Sequence, residues 1–355
     1  MNISVIGAGN GGQAIAGYCA SLGISVCLYN RSLTRFAQFI QNKKIKLIGC
    51  IEKTSKIEKF TDNIKEAIEF SDIILIAVTA SAHKIIAEQI SPYLRDGQII
   101  LLNPGRTCGV LEFSSILNNQ GRTYYIAEAQ TLMFACREIE PGTINIIGIK
   151  QKVMLSGRNK QETNYIINKL RPIFSCFIPA ENFIQTGLEN IGAIFHPPVV
   201  IFNAATIERN NAFYFYRDMT PAIANFIERL DKERINIGLA YNINLMSVNE
   251  WIKYAYPNTT GDTLCERMKN NPAYHDILAP GSIFTRQLTE DIPTGLVPMK
   301  ELAYIAKVPT PLMDALITIS SSLLNTNFQQ IGRNLKNLGL EKFTKENIID
   351  LYCHD

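Results

Sequence analysis

A glycine-rich turn near the start of the chain constrains the fold more than any other feature. Residues 7–12 read Gly-Ala-Gly-Asn-Gly-Gly, which has the spacing GxGxxG. In a dinucleotide-binding turn the first glycine makes the sharp bend, the second admits a pyrophosphate, and the third lets the helix pack on the strand. The turn follows the apolar run Ile3–Ile6 and precedes a segment of helical periodicity. We therefore predict that the cofactor phosphates bind at Gly7, Gly9, Asn10, Gly11 and Gly12.

The rest of the first half continues this alternation of strand and helix. The runs Ile73–Val78 and Ile99–Leu102 are apolar without polar alternation, which is typical of parallel strands covered on both faces. Such a pattern indicates an α/β fold of Rossmann type, built on a doubly wound parallel sheet. The predicted strands are Ile3–Ile6, Ser25–Tyr29, Asp72–Val78, Gln98–Leu102 and Thr123–Ala127.

The second half has a different character, because strand signals nearly vanish after about Glu181 and amphipathic segments follow one another. Thr220 and Pro221 are suited to the N-cap and the first position of a helix. Further helices are predicted over Val297–Ala306, Pro311–Leu324 and Lys345–Tyr352. We therefore predict two domains, a dinucleotide-binding domain over residues 1–180 and an all-helical domain over residues 181–355.

Composition excludes several classes of protein. The net charge is +3, which gives no strong field toward nucleic acid. The apolar runs are shorter than the ~20 residues that a membrane-spanning helix needs, and Met1 leads directly into a strand, so we expect neither a membrane segment nor a signal peptide. Eight cysteines without a CxxC pair predict free thiols. These features predict a cytoplasmic protein.

The end of the second predicted strand bears on the choice of cofactor. An NAD-binding turn usually has an acidic residue here for the ribose 2′-hydroxyl, whereas this chain has Asn30 and Arg31. A guanidinium favours a 2′-phosphate, so NADP(H) is preferred and NAD(H) is possible; the alternative is an ordinary exposed arginine. Thr79 and Ala80 follow the next predicted strand, and small residues there let a nicotinamide or ribose approach the backbone.

Four histidines are present, and one is unusual. His83 is expected to begin a solvated helix and His275 to lie on the surface, while His354 is one residue from the end of the chain. His196 lies in an apolar segment and precedes two prolines, which are expected to break or kink a helix and free backbone groups. It is either a core histidine or a functional one. The segment Thr285–Gly295 is the second dense polar cluster that could carry chemistry, and its alternative is an interdomain loop with solvated charges.

Several motifs together resemble the octopine/nopaline (opine) dehydrogenase family. The likeness spans nearly the whole chain and implies a Rossmann domain followed by a helical domain. It also implies the activity, in which the amine of an amino acid is joined to a 2-oxo acid, such as pyruvate, and reduced with NAD(P)H. The motifs are the glycine turn, Pro104–Thr107, Glu128–Arg137, His196–Pro198 and Glu290–Pro293.

The resemblance implies roles for individual residues. His196 resembles the family's catalytic histidine, and Asp291 its carboxylate partner. Arg286 resembles a residue that holds a substrate carboxylate, while Thr131 and Cys136 resemble residues of the amino-acid subsite; Cys136 is equally suited to be a small buried side chain. Some relatives that use guanidino substrates carry an amide where Arg106 stands, so Arg106 is a substrate-binding candidate that does not support arginine as the substrate.

Two other functions compete with this one. The first is a 2-oxo-acid or ketone reductase that resembles ketopantoate reductases, which rely on a lysine; no lysine here stands in an obvious cleft motif, and the pairing of His196 with Asp291 argues against it. The second is a non-catalytic NADP-sensing protein. The expected partners are an amino acid and a 2-oxo acid, with no nucleic acid and no membrane. Apolar helix faces in the second domain suggest a possible homodimer.

Overall fold

The computed structural model describes residues 1–117 and 121–352, so His354 and Cys353 lie outside the described residues. The chain divides into two compact units. One contains Met1–Thr186 and the residues from Asp350 onward, and the other contains Gly187–Ile349. The first unit therefore extends beyond the predicted boundary at residue 180.

The strands all lie in the first unit. They are β1 (Asn2–Ile6), β2 (Ser25–Tyr29), β3 (Lys44–Gly49), β4 (Lys53–Lys56), β5 (Lys59–Thr61), β6 (Ile73–Ile76), β7 (Ile99–Leu102), β8 (Tyr125–Ala129), β9 (Phe134–Glu140), β10 (Thr143–Ile149), β11 (Val153–Gly157) and β12 (Phe177–Pro179). The first helices are α1 (Asn10–Ser21), α2 (Ala37–Asn42), α3 (Ile64–Phe70), α4 (His83–Ile90), α5 (Gly109–Leu117) and α6 (Lys160–Leu170), and α7 (Phe183–Leu188) leads into the second unit.

The large sheet has the strand order β12-β11-β8-β7-β6-β1-β2-β5. All neighbouring pairs are parallel except β8 with β11. Successive residues of one strand enter different cores, since Val5 belongs to the cluster on one face and Ile6 to the cluster on the other. The predicted Rossmann-type parallel sheet is confirmed, with one antiparallel pair that the sequence did not reveal.

A second sheet of four strands, in the order β4-β3-β10-β9, was not predicted. It packs on α1, whose Gly17 has no side chain to hold the two apart, because a Cβ there would lie 2.6 Å from Ile45 Cγ2. Ile45 and Leu47 are buried while Lys44 and Lys46 are exposed. This alternation in a lysine-rich segment is a weak strand signal, and only packing on α1 gives its apolar residues a core.

The second unit is helical. Its elements are α8 (Ile191–Phe202), α9 (Ala204–Glu208), α10 (Pro221–Ala240), α11 (Val248–Ala255), α12 (Leu264–Asn270), α13 (Arg286–Thr289), a π-helical turn (Ile292–Leu296), α14 (Val297–Ala306), α15 (Pro311–Leu323), α16 (Phe328–Ile331), α17 (Leu335–Leu338) and α18 (Lys345–Tyr352). Thr220 is the N-cap of α10, as predicted, and its side chain accepts from the Ile223 N–H. The predicted helices over Val297–Ala306 and Lys345–Tyr352 are confirmed.

The structure excludes two of the alternatives considered for this unit, a helix broken at the prolines and a solvated loop over Thr285–Gly295. The prolines Pro197 and Pro198 do not break the helix, since α8 continues through both to Phe202. The surrounding apolar packing offsets the two amide hydrogen bonds that proline cannot donate. The segment Thr285–Gly295 is not a solvated loop either, because it forms α13 and the π-helical turn, with Asp291 buried between them.

Candidate active site

The glycine turn has the geometry of a phosphate-binding site. Gly7 has φ +109°, and a Cβ on Gly12 would lie 1.7 Å from the Gly7 carbonyl oxygen, so both positions exclude a side chain. Gly9 is the N-cap of α1, and a Cβ there would meet no atom within 4 Å. Asn10 is exposed at the first position of α1, and Gly11 faces Leu132. The open side of the turn and the helix N-terminus therefore fit a dinucleotide pyrophosphate.

Polar residues after β2 hold this turn in place. The Asn30 side-chain oxygen accepts from the Ala8 N–H at 3.2 Å, while its amide donates to the Ser32 carbonyl at 2.6 Å. Arg35 donates to the Ala8 carbonyl at 3.1 Å and pairs with Glu138 at 2.8 Å. Arg31 is exposed beside them. Asn30 thus supports the turn, whereas the Arg31 side chain is exposed.

The loop after β6 contains the next two predicted cofactor residues. The Thr79 hydroxyl lies 3.2 Å from the Ser81 hydroxyl. Ala80 is buried at the start of a short 3₁₀ turn over Ala80–Ala82. His83, expected to be solvated, is fully buried, with its ring in edge contact with Phe113 at 5.5 Å. It is therefore a core histidine, because α4 turns its apolar face and this ring inward.

The loops after β7 and β8 bring together Arg106, Thr131 and a lysine that the sequence did not single out. Arg106 is half-buried in the left-handed backbone region, with φ +59°. The preceding Gly105 donates its N–H to the Ala129 carbonyl at 3.1 Å, which ties the Arg106 loop to the end of β8. Thr131 lies two residues further on and accepts from Lys150 Nζ at 2.6 Å.

Lys150 has an unusual electrostatic environment. The residue is exposed, but loss of hydration at its amino group, together with the positive charge of Arg106, lowers its pKa to about 8. Two neighbouring cations and a hydroxyl form a suitable site for a carboxylate.

Cys136 lies five residues after Thr131 and is half-buried. Burial raises the pKa of its thiol to about 11. It is therefore a neutral thiol at working pH.

The helical unit contains the second cluster. His196 Nδ1 lies 2.7 Å from Asp291 Oδ2, and His196 Nε2 lies 2.9 Å from the hydroxyl of Tyr216. The Asp291 side chain is 3% exposed and that of His196 is 24% exposed. A buried carboxylate fixes the imidazole orientation and its tautomer, which leaves a partly accessible ring suited to proton transfer. The structure thus brings together the two residues that were predicted as partners.

Arg286 lies one helical turn from this pair. Its Nε donates to Glu290 Oε2 at 2.8 Å, and its Nη2 lies 2.6 Å from the same oxygen. The Arg286 side chain is 67% exposed, whereas that of Glu290 is 4% exposed. Glu290 therefore anchors the guanidinium at its base, and the exposed part of the planar group has donors for a further carboxylate.

Three residues of these clusters were missed by the sequence reasoning, namely Tyr216, Lys150 and Glu290. The role of Glu290 could have been predicted, since it lies four residues after Arg286, which is the spacing of a helical ion pair. Tyr216 and Lys150 carried no such signal, because each contacts a residue on another element. His275, predicted to be at the surface, is exposed and pairs with Asp276 at 2.8 Å.

Other kinds of site receive no support within the described ranges. There, no three or more His, Cys, Asp or Glu side chains are grouped so as to hold a metal ion. Cysteines 19, 27, 50, 108, 136, 176 and 265 are free thiols. Of the helices in this part of the chain, none combines the length and the apolar character that crossing a bilayer requires.

Comparison with known proteins agrees with both units. Residues 179–324 match the α-helical domain of NAD/NADP octopine/nopaline dehydrogenase, and residues 2–109 match the N-terminus of NAD-dependent glycerol-3-phosphate dehydrogenase. The opine dehydrogenase of Arthrobacter sp. (strain 1C) is 36% identical over 348 residues, which cover 97% of this chain and 97% of that protein.

Solved structures share the fold. Octopine dehydrogenase with NADH and L-arginine has a TM-score of 0.82 at 20% identity, covering 99% of this chain and 98% of that one. Yersinopine dehydrogenase with bound NADP⁺ has a TM-score of 0.71 at 15% identity, covering 99% and 97%.

A Rossmann unit with an open glycine turn, followed by a helical unit with a histidine–carboxylate pair, defines a two-domain dehydrogenase that uses a nicotinamide cofactor. It is an NAD(P)-dependent oxidoreductase of the class that acts on CH–NH groups. The chain belongs to the octopine/nopaline (opine) dehydrogenase family.

Proposed function

We propose that the protein catalyses the reductive condensation of an amino acid with a 2-oxo acid, such as pyruvate, to give an N-(carboxyalkyl) amino acid. The observation that carries this proposal is the 2.7 Å contact between His196 Nδ1 and the buried Asp291 carboxylate. Membership of the opine dehydrogenase family supports the reaction type.

The chemistry requires a group that both accepts and donates a proton. The amine must be neutral to attack the keto carbon, and the resulting carbinolamine must take up a proton and lose its hydroxyl as water to form a protonated imine. His196 is suited to take the amine proton and to return a proton to the departing hydroxyl. Asp291 holds Nδ1–H and stabilises the imidazolium between these steps. A nicotinamide, when bound, would supply the hydride that reduces the carbon of this protonated imine to give the secondary amine.

Cationic residues in each unit are proposed to bind the substrate carboxylates. Arg286 has its guanidinium anchored by Glu290, and its exposed edge is suited to one acid. Arg106 and Lys150, with the Thr131 hydroxyl, are suited to another. Cys136 contributes a small neutral side chain to the amino-acid subsite and no nucleophile.

For the cofactor we propose NADP(H) over NAD(H). Asn30 bonds to the glycine turn and offers no carboxylate to a ribose 2′-hydroxyl, whereas the exposed Arg31 offers a cation to a 2′-phosphate. Thr79 and Ala80 are proposed to approach the nicotinamide side, because they follow β6 at the carboxyl edge of the sheet, where ligands of such folds bind.

The lowered pKa of Lys150 favours a second candidate function, which is the reduction of a 2-oxo acid without any amino acid. A lysine whose pKa is lowered to about 8 can donate a proton to a keto oxygen. The same assay separates the two functions: NADPH oxidation with a 2-oxo acid alone supports the plain reductase, whereas oxidation only when an amino acid is also present supports condensation.

The test is a screen of amino acids crossed with pyruvate, 2-oxoglutarate and glyoxylate, followed by absorbance of NADPH and by mass of the product. A product with the mass of the N-(carboxyalkyl) amino acid is expected, and His196→Ala serves as the inactive control. Cofactor binding without turnover for every pair would instead indicate the NADP-sensing alternative.

The cellular setting is also proposed. We propose a cytoplasmic location, where the enzyme would meet both substrates and NADPH.

The helical unit exposes large apolar side chains, among them Phe202, Leu239 and Tyr304. We propose that this unit mediates a homodimer. Light scattering of the purified protein gives the oligomeric mass, and a monomer at assay concentration would contradict the dimer.

A further inference from the structure

Both ring nitrogens of His196 have partners. Asp291 occupies Nδ1 at 2.7 Å, and the Tyr216 hydroxyl lies 2.9 Å from Nε2. In the proposed mechanism the pairing with Asp291 needs only one nitrogen and leaves Nε2 for the substrate. The pairing of His196 with Asp291 therefore does not account for the contact between Tyr216 and Nε2.

Packing fixes the Tyr216 ring without help from its hydroxyl. The ring stacks on Tyr274, with centroids 4.4 Å apart, and meets Phe215 edge-on at 4.8 Å. The backbone of its segment is tied down as well, because the Phe215 N–H donates to the Ile277 carbonyl at 2.8 Å. Tyr216 as a whole is 9% exposed. The phenol is thus held in position before any ligand binds.

The hydroxyl of Tyr216 keeps its proton. Burial, and then the charges of Asp291 and Tyr256, raise the pKa of Tyr216 above its ordinary value. A phenol can donate a hydrogen bond to an unprotonated Nε2, and it can accept one from Nε2–H. With Nδ1–H held by Asp291, the phenol is the partner of Nε2 in the free protein, and it must release this nitrogen when the substrate exchanges its proton there.

We propose that Tyr216 is a positioning residue of the acid–base site, whose hydroxyl donates to the bare Nε2 of the Nδ1–H tautomer that Asp291 holds and keeps the imidazole plane fixed until substrate binds. Donation from Tyr216 requires a bare Nε2, so the ring proton must lie on Nδ1, where Asp291 accepts it. The two partners favour the same tautomer from opposite edges of the ring. This inference rests on the proposed function for its kinetic consequence only.

The kinetic test compares Tyr216→Phe with Tyr274→Phe. The first variant keeps the ring packing and loses the contact with Nε2, whereas Tyr274 belongs to the same aromatic cluster and its hydroxyl interacts with Tyr256. We expect Tyr216→Phe to lower kcat by about 10–100-fold, the scale of a misplaced catalytic group, with KM and NADPH binding within about twofold. Tyr274→Phe is expected to keep kcat. Equal losses in both variants, or normal kcat in Tyr216→Phe, would overturn the proposal.

A spectroscopic test reads the tautomer directly. In protein labelled with ¹⁵N-histidine, only four imidazoles are present, and His196→Ala identifies the signals of His196. We expect a single Nδ1–H tautomer in the native protein and a changed Nε2 resonance in Tyr216→Phe. An unchanged resonance would reject the hydrogen bond. Because this readout needs no substrate, it remains decisive even if the proposed condensation activity is absent.

Discussion

Gly295 lies so close to Ala193 that a Cβ on the glycine would be 2.5 Å from the alanine Cβ. This contact joins the π-helical turn to α8, and His196 and Asp291 each lie about one helical turn from it. The pair depends on this close approach, because any side chain at Gly295 would push the two elements apart. π-Helical turns occur frequently at functional sites, where they redirect a side chain within a helix.

The first prediction concerns the pair of His196 and Asp291. We expect His196→Ala and Asp291→Asn each to lower turnover by about 10²–10⁴, the usual contribution of a positioned acid–base group, with NADPH binding retained. Since the two residues act as one unit, the double variant is expected to be little worse than His196→Ala. Steady-state kinetics of the three variants measure this. Additive losses would show independent roles.

Arg286→Lys keeps the positive charge and loses the planar fork. We expect KM for one acid substrate to rise about tenfold while NADPH affinity is unchanged, because a lysine cannot bind a carboxylate bidentately and still bond to Glu290. Arg209→Lys, at an exposed position of the same unit, is the matched control. Normal KM values for both acids would remove Arg286 from the substrate site.

Arg31→Asp tests the choice of cofactor. We expect NADPH binding to weaken by roughly 2–3 kcal/mol, the scale of a lost charge-assisted contact with added repulsion, and NADH binding to change less or to improve. Fluorescence titration of both cofactors gives the two dissociation constants. If the native protein binds both equally and the substitution alters neither, Arg31 has no part in cofactor selection.

Lys150 gives a pH-dependent prediction. Its pKa is lowered to about 8, so the amine is charged below that pH and neutral above it. A substrate carboxylate held by Lys150 is therefore expected to bind well below pH 8 and to show a rising KM above it. In Lys150→Met the KM should be about tenfold higher at pH 7 and independent of this ionisation. Lys152→Met, two residues away and exposed, is the control that should retain the native profile.

The glycine turn permits a matched pair of substitutions. Gly12→Ala places a Cβ 1.7 Å from the Gly7 carbonyl oxygen, so we expect a lower Tm and loss of cofactor binding. Gly9→Ala meets no protein atom within 4 Å, so the Tm should be nearly native, while NADPH binding weakens because the methyl group faces the phosphate site. Thermal melts with and without NADPH distinguish the two. Native NADPH affinity in Gly9→Ala would place the pyrophosphate elsewhere.

Local patterns in the sequence were enough to predict the Rossmann sheet, the glycine turn and several helix ends. These features depend on residues within about one strand or helical turn of each other, such as the N-cap Thr220 and its acceptor contact with Ile223 N–H. His196 also stood out locally, as a polar residue in an apolar segment before two prolines. Its partner Asp291 was found only through the family resemblance.

The tertiary structure decided what local patterns could not. Asp291 is 95 residues from His196 and Tyr216 is 20 residues from it, yet both contact the same ring. Lys150 meets Thr131 only because the end of β10 lies beside the turn that follows β8. The sequence determined which residues have the chemistry for a proton-transfer site. Packing of distant segments determined which of them touch, because burial of apolar faces, and not the polar side chains themselves, brings those segments together.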